Sequence, residues 1–262
     1  MANAGLAWVN HLMTAVLATN SEVATLPVSN IKDLHGATVW RTQAATGIEV
    51  TADLGAAQPV SVMAVAGAQV SAALQWRLRL STTDAHDGDL YDSGLIAADP
   101  AEIVKARWQA LLLLPTIVTA RYIKINLEDS GRVGVGSIDI GHLWLADLWQ
   151  PRRNFSYGAQ NITIDPTQKS KSIGGQNYSD IRNKFRAERF EFNFLGEDEV
   201  VEIISDQLDA VAGISGNILY IKSPGGERQN RQMIIGQMSE LGANEHTTHP
   251  AHARAFEISE AL

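Results

Sequence analysis

IEVTADL at residues 48–54 and LQWRLRL at residues 74–80 are the two stretches that decide the fold. In both, every second residue is apolar and the residues between are polar, which is the pattern of a β-strand with one buried face. The same alternation returns in IKINL at residues 123–127. Short strands of this kind, separated by turn-forming residues, predict an antiparallel sandwich between about residues 13 and 145.

The composition limits both the size and the chemistry of the protein. A chain of 262 residues with 45% hydrophobic content can form two domains, each with its own core. Its net charge of -8 and pI near 5.3 argue against a nucleic-acid partner, because phosphate binding needs clustered Lys and Arg. The chain has no cysteine, which excludes disulfides, thiolate nucleophiles and cysteine-based zinc sites.

Neither a leader peptide nor a membrane segment is expected. The first twenty residues lack a basic start, and Asn10 and His11 interrupt the apolar run that a secretion signal needs. The longest nearly apolar run, at residues 111–118, contains Pro115 and is too short to cross a bilayer. We therefore predict a soluble protein that does not insert into membranes.

A change in composition at WQPRR, residues 149–153, where a proline and two basic residues follow an aromatic residue, predicts a domain boundary. We predict a sandwich at residues 1–149 and a β-rich domain at 150–262. In the second domain, apolar residues at helical spacing predict one helix at about 197–212, ended by Gly213. A polar loop is predicted at 169–180. The predicted strands of this domain are 160–164, 189–195, 217–222, 231–238 and 254–258, and Phe190, Phe192 and Phe194 are predicted to share one packing face.

An ordered series of short motifs resembles a known family of domains. The series comprises ATNSE at 18–22, LPVSNI at 26–31, VWRT at 39–42, TADLG at 51–55 and RYIKI at 121–125, with WRLRLS at 76–81 between the last two. It is similar to the discoidin, or coagulation-factor type C, group of galactose-binding-like domains. The resemblance implies that the sandwich is a jelly roll.

The second half of the chain resembles a different group of proteins. WQPRRN at 149–154, the GG-containing loop, the aromatic strand, the helix and the closing strands are similar to siphophage tail-tip and distal-tail proteins. That resemblance implies a barrel-like β-domain with one helix, whose sheet edges pair with neighbouring subunits. It also implies a homo-oligomeric ring within a virion, made in the host cytoplasm, with the tail tube and the tail-tip hub as partners.

The binding candidates lie near Trp40. An aromatic face and planar charged groups can hold a sugar, which makes Trp40 and Arg41 candidates for glycan binding. In the family that this part resembles, however, the matching tryptophan generally lies in the core. The ligand-binding residues we predict are therefore Asp33, His35 and Arg41, on loops at the end of the sandwich where such folds usually bind.

Catalytic and metal-binding patterns are weak. The sequence has no G-x-S-x-G elbow, H-E-x-x-H pair, P-loop or Rossmann glycine series, so we predict no enzyme, no catalytic residues and no cofactor. His246, His249 and His252 are spaced as if to bind a metal, but Pro250 breaks the helix that would align them, which favours an exposed loop. The acidic residues of DAHDGDLYDSG at 84–94 favour a solvated turn over a calcium site, because the bidentate glutamate of a specific calcium loop is missing. We predict no metal.

These expectations favour a mainly β structural protein of a phage tail tip or baseplate that forms part of a ring and binds host surface glycans. One alternative is the carbohydrate-binding module of a non-viral protein, which would bind its glycan as a monomer. A sugar-processing enzyme is the third class.

Overall fold

A computed structural model describes residues 2–104, 107–248 and 251–261. The chain packs as two compact units. The first unit takes in the residues up to Gln150 and then Ile218–Met233, and the second takes in Pro151–Asn217 and Ile234–Ala261. That 1–149 and 150–262 are independently folding domains stays a prediction.

The described part of the chain is mainly β, as predicted. We number the strands in chain order. They are β1 Gly5–Ala7, β2 Val16–Thr19, β3 Trp40–Arg41, β4 Ile48–Ala68, β5 Leu74–Ser81, β6 Tyr91–Asp92, β7 Ile96–Ala97, β8 Ala101–Val104, β9 Arg107–Asp129, β10 Asp139–Ile140, β11 His142–Ala146, β12 Gln160–Ile164, β13 Gln168–Lys171, β14 Asn177–Asp180, β15 Phe185–Leu195, β16 Ile218–Ile221, β17 Met233–Met238, β18 Glu245–Thr248 and β19 Ala251–Glu260. Short 3₁₀ turns cover His11–Met13, Val28–Lys32 and Ser130–Arg132.

The first unit is an antiparallel sandwich built on two long strands. Its main sheet has the order β11-β4-β9-β5-β6, with β2, β7 and β8 added at β4, β5 and β9. β4 pairs with β9 from Ile48↔Leu127 to Ala68↔Trp108, and the register shifts three times along that pairing. Such irregularities bend a strand, so both halves of the ladder pack around one core. The apolar residues of all three alternating stretches lie in this core, which confirms the predicted sandwich.

Two additions complete the first unit. Residues 101–104 form β8, and residues 107–114 form the start of β9. β1 pairs with β16, from Gly5↔Ile221 to Ala7↔Leu219, so the sandwich unit includes a strand from late in the chain. A short helix, Gln229–Gln232, follows and is a second helix that the sequence did not predict.

The second unit is an open antiparallel sheet with a helix. Its strand order is β17-β19-β15-β12, and β18 pairs with β19. Within the described residues, β12 and β17 form no hydrogen-bonded pair. The sheet therefore does not close into the barrel-like form that was predicted. The core of this unit includes a cluster of phenylalanines in which the rings of Phe190 and Phe256 stack at 5.4 Å.

The helix Glu199–Asp209 confirms the predicted helical segment, but it is wound as a π-helix. Its buried residues include Val200, Ile204 and Leu208, at a spacing of four. Val201 and Val211, two of the apolar residues whose helical spacing predicted this helix, are 49% and 61% exposed. They are exposed because a π-helix has more residues per turn than the α-helix that the prediction assumed. Gly213 has a φ of +52° at the end of the helix, as predicted.

Two predictions about β15 and its surroundings are wrong. Phe194 is 54% exposed and does not share the face of Phe190 and Phe192, because the register shifts between Phe192 and Leu195 and Leu195 takes the inward position. The polar stretch at 169–180 is not an irregular loop. It forms the hairpin of β13 and β14, with Gln168↔Asp180 to Lys171↔Asn177 as its pairs.

A buried ion pair joins the helix to β19 in the second unit. Arg254 donates to both carboxylate oxygens of Asp209, at 2.8 and 2.7 Å, and to Asn244 Oδ1 at 3.1 Å. The side chain of Arg254 is 1% exposed and that of Asp209 is 19% exposed. A charge removed from water to this extent depends on its partner.

Candidate functional site

Trp40 is a core residue, as the resemblance to galactose-binding-like domains implied. It is 0% exposed, and its indole Nε1 donates to the carbonyl oxygen of Ser21 at 3.1 Å. A buried tryptophan needs such an acceptor for its N–H. Trp40 therefore positions its neighbour Arg41 and offers no face to a ligand.

Arg41 lies at the surface in a fixed pose. β3 pairs with β10 so that Arg41 is opposite Asp139. Its Nε and Nη2 donate to the two carboxylate oxygens of Asp139, both at 2.7 Å, and this pairing raises the pKa of Arg41. The Arg41 side chain is 45% exposed whereas that of Asp139 is 5% exposed. Asp139 uses two of the five guanidinium N–H groups, which leaves three that can donate to other acceptors.

Asp33 and His35 form a small turn beside a buried histidine. The carboxylate of Asp33 accepts from the backbone N–H of His35 at 2.9 Å, and this hydrogen bond is the main reason that its pKa is lowered. His142, on β11, is 4% exposed, and its Nε2 has no hydrogen-bond partner within the described residues. Burial lowers the pKa of His142 to about 4, while the charges of Asp33 and His35 act on it in opposite directions.

A tight backbone approach links these two pairs of residues. Gly141 lies between β10, which carries Asp139, and His142. A Cβ on Gly141 would come within 2.6 Å of the carbonyl oxygen of Gly36, so only glycine allows the turn after His35 to pack here. Residues 139–142 thus bring together the three predicted residues and two that were not predicted. We call Asp33, His35, Arg41, Asp139 and His142 the sandwich-end cluster.

The acidic stretch at 84–94 leads from β5 into its partner strand β6, whose two residues it contains. Asp92 accepts both N–H groups of the Arg77 fork, which lowers its pKa to about 2. Asp89 accepts from the backbone N–H and the hydroxyl of Thr82, at 2.9 and 2.5 Å. Asp92 and Asp89 thus have separate partners, Arg77 on β5 and Thr82 directly after it, and do not share a ligand position.

The C-terminal histidines lie on strands and not on the predicted exposed loop. His246 and His252 are opposite each other on β18 and β19, and their rings stack at 4.7 Å. The third residue of the spacing, His249, lies outside the described residues. Within residues 2–104, 107–248 and 251–261, no group of three His, Asp or Glu side chains could hold a metal ion. No helix in the same part is long and apolar enough to cross a membrane.

The second unit has a cleft of about 350 Å³ on the solvent side of β15 and β19. Tyr157, which is fully exposed, stands at one side. Arg189 crosses the cleft and donates to the carboxylate of Glu257 at 2.7 and 3.2 Å. Glu191 and Glu240 also line it, so its lining carries one positive and three negative charges. We call this the unit-2 cleft.

No protein-family model matches the chain, and no curated protein does. Solved structures match about half of it. A family 32 carbohydrate-binding module of Clostridium perfringens NanJ, in complex with galactose, is 19% identical over 55% of this chain and 99% of that one, with a TM-score of 0.40. A chitosan-binding module from a chitosanase/glucanase of Paenibacillus sp. IK-5 is 13% identical over 53% and 98%, with a TM-score of 0.41. The structure of SpGH29 is matched over only 28% of its own length, at 14% identity and a TM-score of 0.39.

The sequence placed three members of the sandwich-end cluster and missed two. Asp33, His35 and Arg41 stood out because they are polar residues in turn-rich sequence next to Trp40. Asp139 and His142 lie in IDIGHLWLA, residues 138–146, which reads as a buried strand. The unit-2 cleft was missed altogether, because its lining comes from segments that are far apart in the sequence.

Lowering the pH is expected to destabilise the first unit through His142. The folded-state pKa of about 4 lies below the ordinary value of 6.5, so the unfolded chain binds the proton more readily. The part of the free energy of unfolding that depends on a neutral His142 is fully present above pH 6.5 and is lost as the pH falls toward 4. The total loss is on the order of 3 kcal/mol. Urea unfolding followed by tryptophan fluorescence at pH 7, 5.5 and 4 measures this loss.

The His142→Gln variant should flatten this pH dependence, and His35→Gln serves as the matched control. His35 is exposed, and its charge is the smallest of the three causes that act on the pKa of His142, so most of the slope should remain. An equal slope in wild type and His142→Gln would show that another group causes the acid sensitivity.

Proposed function

We propose that this protein is a non-catalytic subunit of a symmetric protein assembly at the tip of a phage tail. The observation that carries the proposal is the hairpin of β13 and β14, in which every strand residue is exposed. An isolated two-stranded hairpin is only marginally stable in water, so a hairpin exposed on both faces is best explained by a partner. Ile173, Tyr178 and Ile181 in and beside it are 110%, 56% and 83% exposed, which is typical of an interaction surface.

The pairing of charged groups supports a role without catalysis. Arg41 and Arg189 each hold a carboxylate in a two-point ion pair. A general acid or base needs a free carboxyl or imidazole within reach of a substrate. These pairs tie up Asp139 and Glu257, whereas Glu191 and Glu240 of the unit-2 cleft have no ion-pair partner within the described residues.

The resemblance of residues 149–262 to tail-tip proteins is the reason for placing the assembly in a virion. On this proposal, the partners are further copies of the chain, the tail tube and the tail-tip hub. A recombinant protein should form oligomers at micromolar concentration, which mass photometry and size-exclusion chromatography with light scattering measure. A protein that stays strictly monomeric up to 100 times that concentration and is absent from purified virions would overturn the proposal.

Glycan binding by the first unit is the second function that we propose. The exposed fork of Arg41, held by Asp139, can donate paired hydrogen bonds to sugar hydroxyls, and Asp33 can accept them. A glycan array probed with the full chain should give weak signals that Asp33→Ala reduces. Asp84→Ala, an exposed change elsewhere in the unit, is the matched control.

The two functions give different outcomes. A monomer that binds glycans would favour a carbohydrate-binding module, whereas an oligomer that binds none would leave only the structural role. Turnover of any glycan on the array would contradict the assignment of a non-catalytic protein.

A further inference from the structure

We infer that the hairpin of one copy docks into the unit-2 cleft of a second copy. This inference rests on the proposed function, because it names the contact by which the subunits would assemble. It commits to a second copy of this chain as the occupant of the cleft, on the basis of charge, exposure and the placement of the two surfaces within the second unit.

The hairpin is basic in an acidic protein. Residues 166–184, which we call the basic hairpin, contain Lys169, Lys171, Arg182 and Lys184 and a single acid, Asp180, for a net charge of +3. Since the whole chain carries -8, all the other residues together carry -11. A surface of this sign is attracted to other copies of the same chain.

Two of the four cations are available to a partner. Arg182 is held by Asp180 at 3.0 Å and Lys184 by Asp165 at 3.1 Å. Lys169 and Lys171 are exposed, and neither has an ion-pair partner within the described part of the chain. Because they are two residues apart on β13, they point to the same face of the hairpin.

The unit-2 cleft offers matching acceptors. Glu191 and Glu240 line it, and neither is the partner in an ion pair of the described residues, whereas Glu257 is held by Arg189. The exposed ring of Tyr157 at its side can pack on the aliphatic stem of a lysine. In the proposed contact, the ammonium groups of Lys169 and Lys171 in one copy therefore face the carboxylates of Glu191 and Glu240 in the next.

The placement of the two surfaces makes the contact head-to-tail. The cleft lies at the start of the β12–β15 pair, where Gln160 is opposite Arg189, and the hairpin begins beyond its other end, where Ile164 is opposite Phe185. Gln160 and Ile164 are four residues of strand apart, which is about 13 Å. From Ile164 to Ile173 the chain can extend up to about 30 Å further. Because donor and acceptor surfaces are at opposite ends, each copy can bind one neighbour at each end, which produces a closed ring or a filament.

Charge reversal tests the contact. Lys169→Glu/Lys171→Glu should weaken self-association by at least about tenfold in mass photometry at low salt. Glu191→Lys/Glu240→Lys should do the same. Arg228→Glu, an exposed change of the same sign in the first unit, is the control and should assemble like the wild type.

Mixing the two reversed variants should restore assembly, because each reversed hairpin then meets a reversed cleft. The mixed particles should contain both variants in equal numbers, which mass labelling of one variant would detect. If the wild type assembles and the reversals change nothing, the docking inference is wrong and the proposed function survives. If the wild type never assembles, both fail.

Disulfide trapping gives a second readout that does not depend on affinity. The chain has no cysteine, so Lys169→Cys/Glu240→Cys introduces the only two thiols. Oxidation should produce a ladder of covalent multimers on a non-reducing gel, whereas each single variant should give no species larger than a dimer. An intramolecular disulfide in the monomer, with no ladder of multimers, would contradict docking between copies.

Discussion

Replacing Asp209 with alanine is expected to lower the free energy of unfolding of the second unit by about 3–5 kcal/mol. The change leaves the guanidinium of Arg254, which is 1% exposed, without its two-point partner. A buried charge left unpaired costs far more than the pair itself contributes. Arg254→Met should cost less, because it removes the charge and keeps most of the packing against the ring of Phe256.

The six tryptophans make this prediction specific to one unit. They are Trp8, Trp40, Trp76, Trp108, Trp144 and Trp149, which all lie in the first unit. Hydrogen exchange read by mass spectrometry should therefore show faster exchange in peptides from 151–217 and 234–261, while the fluorescence transition stays in place. A shift of the fluorescence transition by the same amount would mean that the two units unfold together.

The pair of Arg189 and Glu257 is the matched control. It joins β15 to β19 with similar hydrogen bonds, but the two side chains are 55% and 25% exposed. Glu257→Ala should cost no more than about 1 kcal/mol, because water replaces the lost partner. Equal losses for Asp209→Ala and Glu257→Ala would contradict the argument from burial.

Replacing Trp40 with alanine is expected to lower the stability of the first unit by about 3–5 kcal/mol. The ring is fully buried, so its removal leaves a cavity and also removes the shorter of the two hydrogen bonds to the carbonyl oxygen of Ser21. Urea unfolding followed by the fluorescence of the other five tryptophans measures the loss. Trp40→Phe should lose less, because much of the ring volume is kept.

Glycan binding provides the contrasting readout for Trp40. Trp40→Phe should retain any binding that the wild type shows, since the ring offers no face to a ligand. A fully stable Trp40→Phe protein that no longer binds would place this side chain in the ligand site and would overturn its assignment to the core.

The fold was predictable where one periodicity governed a whole element. Residues 48–54 and 74–80 alternate without interruption, and their apolar members are buried. The pattern misled where geometry departs from the ideal, as at Phe194, where an irregular register reverses the side that each residue faces. The hairpin at 168–180 gave no signal, because a strand exposed on both faces has no buried side to reveal it.

The candidate sites were less predictable than the fold, because they depend on register. Arg41 and Asp139 are 98 positions apart, and only the pairing of β3 with β10 brings them together. His142 is buried where the turn at Gly36 packs closely on Gly141, and no local sequence pattern predicts this close approach. That Asp33, His35 and Arg41 bind a ligand stays a prediction.

The pairing of β1 with β16 has a consequence for how the chain is made. Gly5 leaves the ribosome 216 residues before its partner Ile221, an interval of roughly 10 to 40 s at ordinary rates of translation. Through that interval the apolar Leu6 and Ala7, which end up buried, lack β16, and the bridge of Leu6 to Trp149 is the one earlier pairing among the described residues. The nascent sandwich therefore lacks the partner strand of β1 until residue 221 has been synthesised.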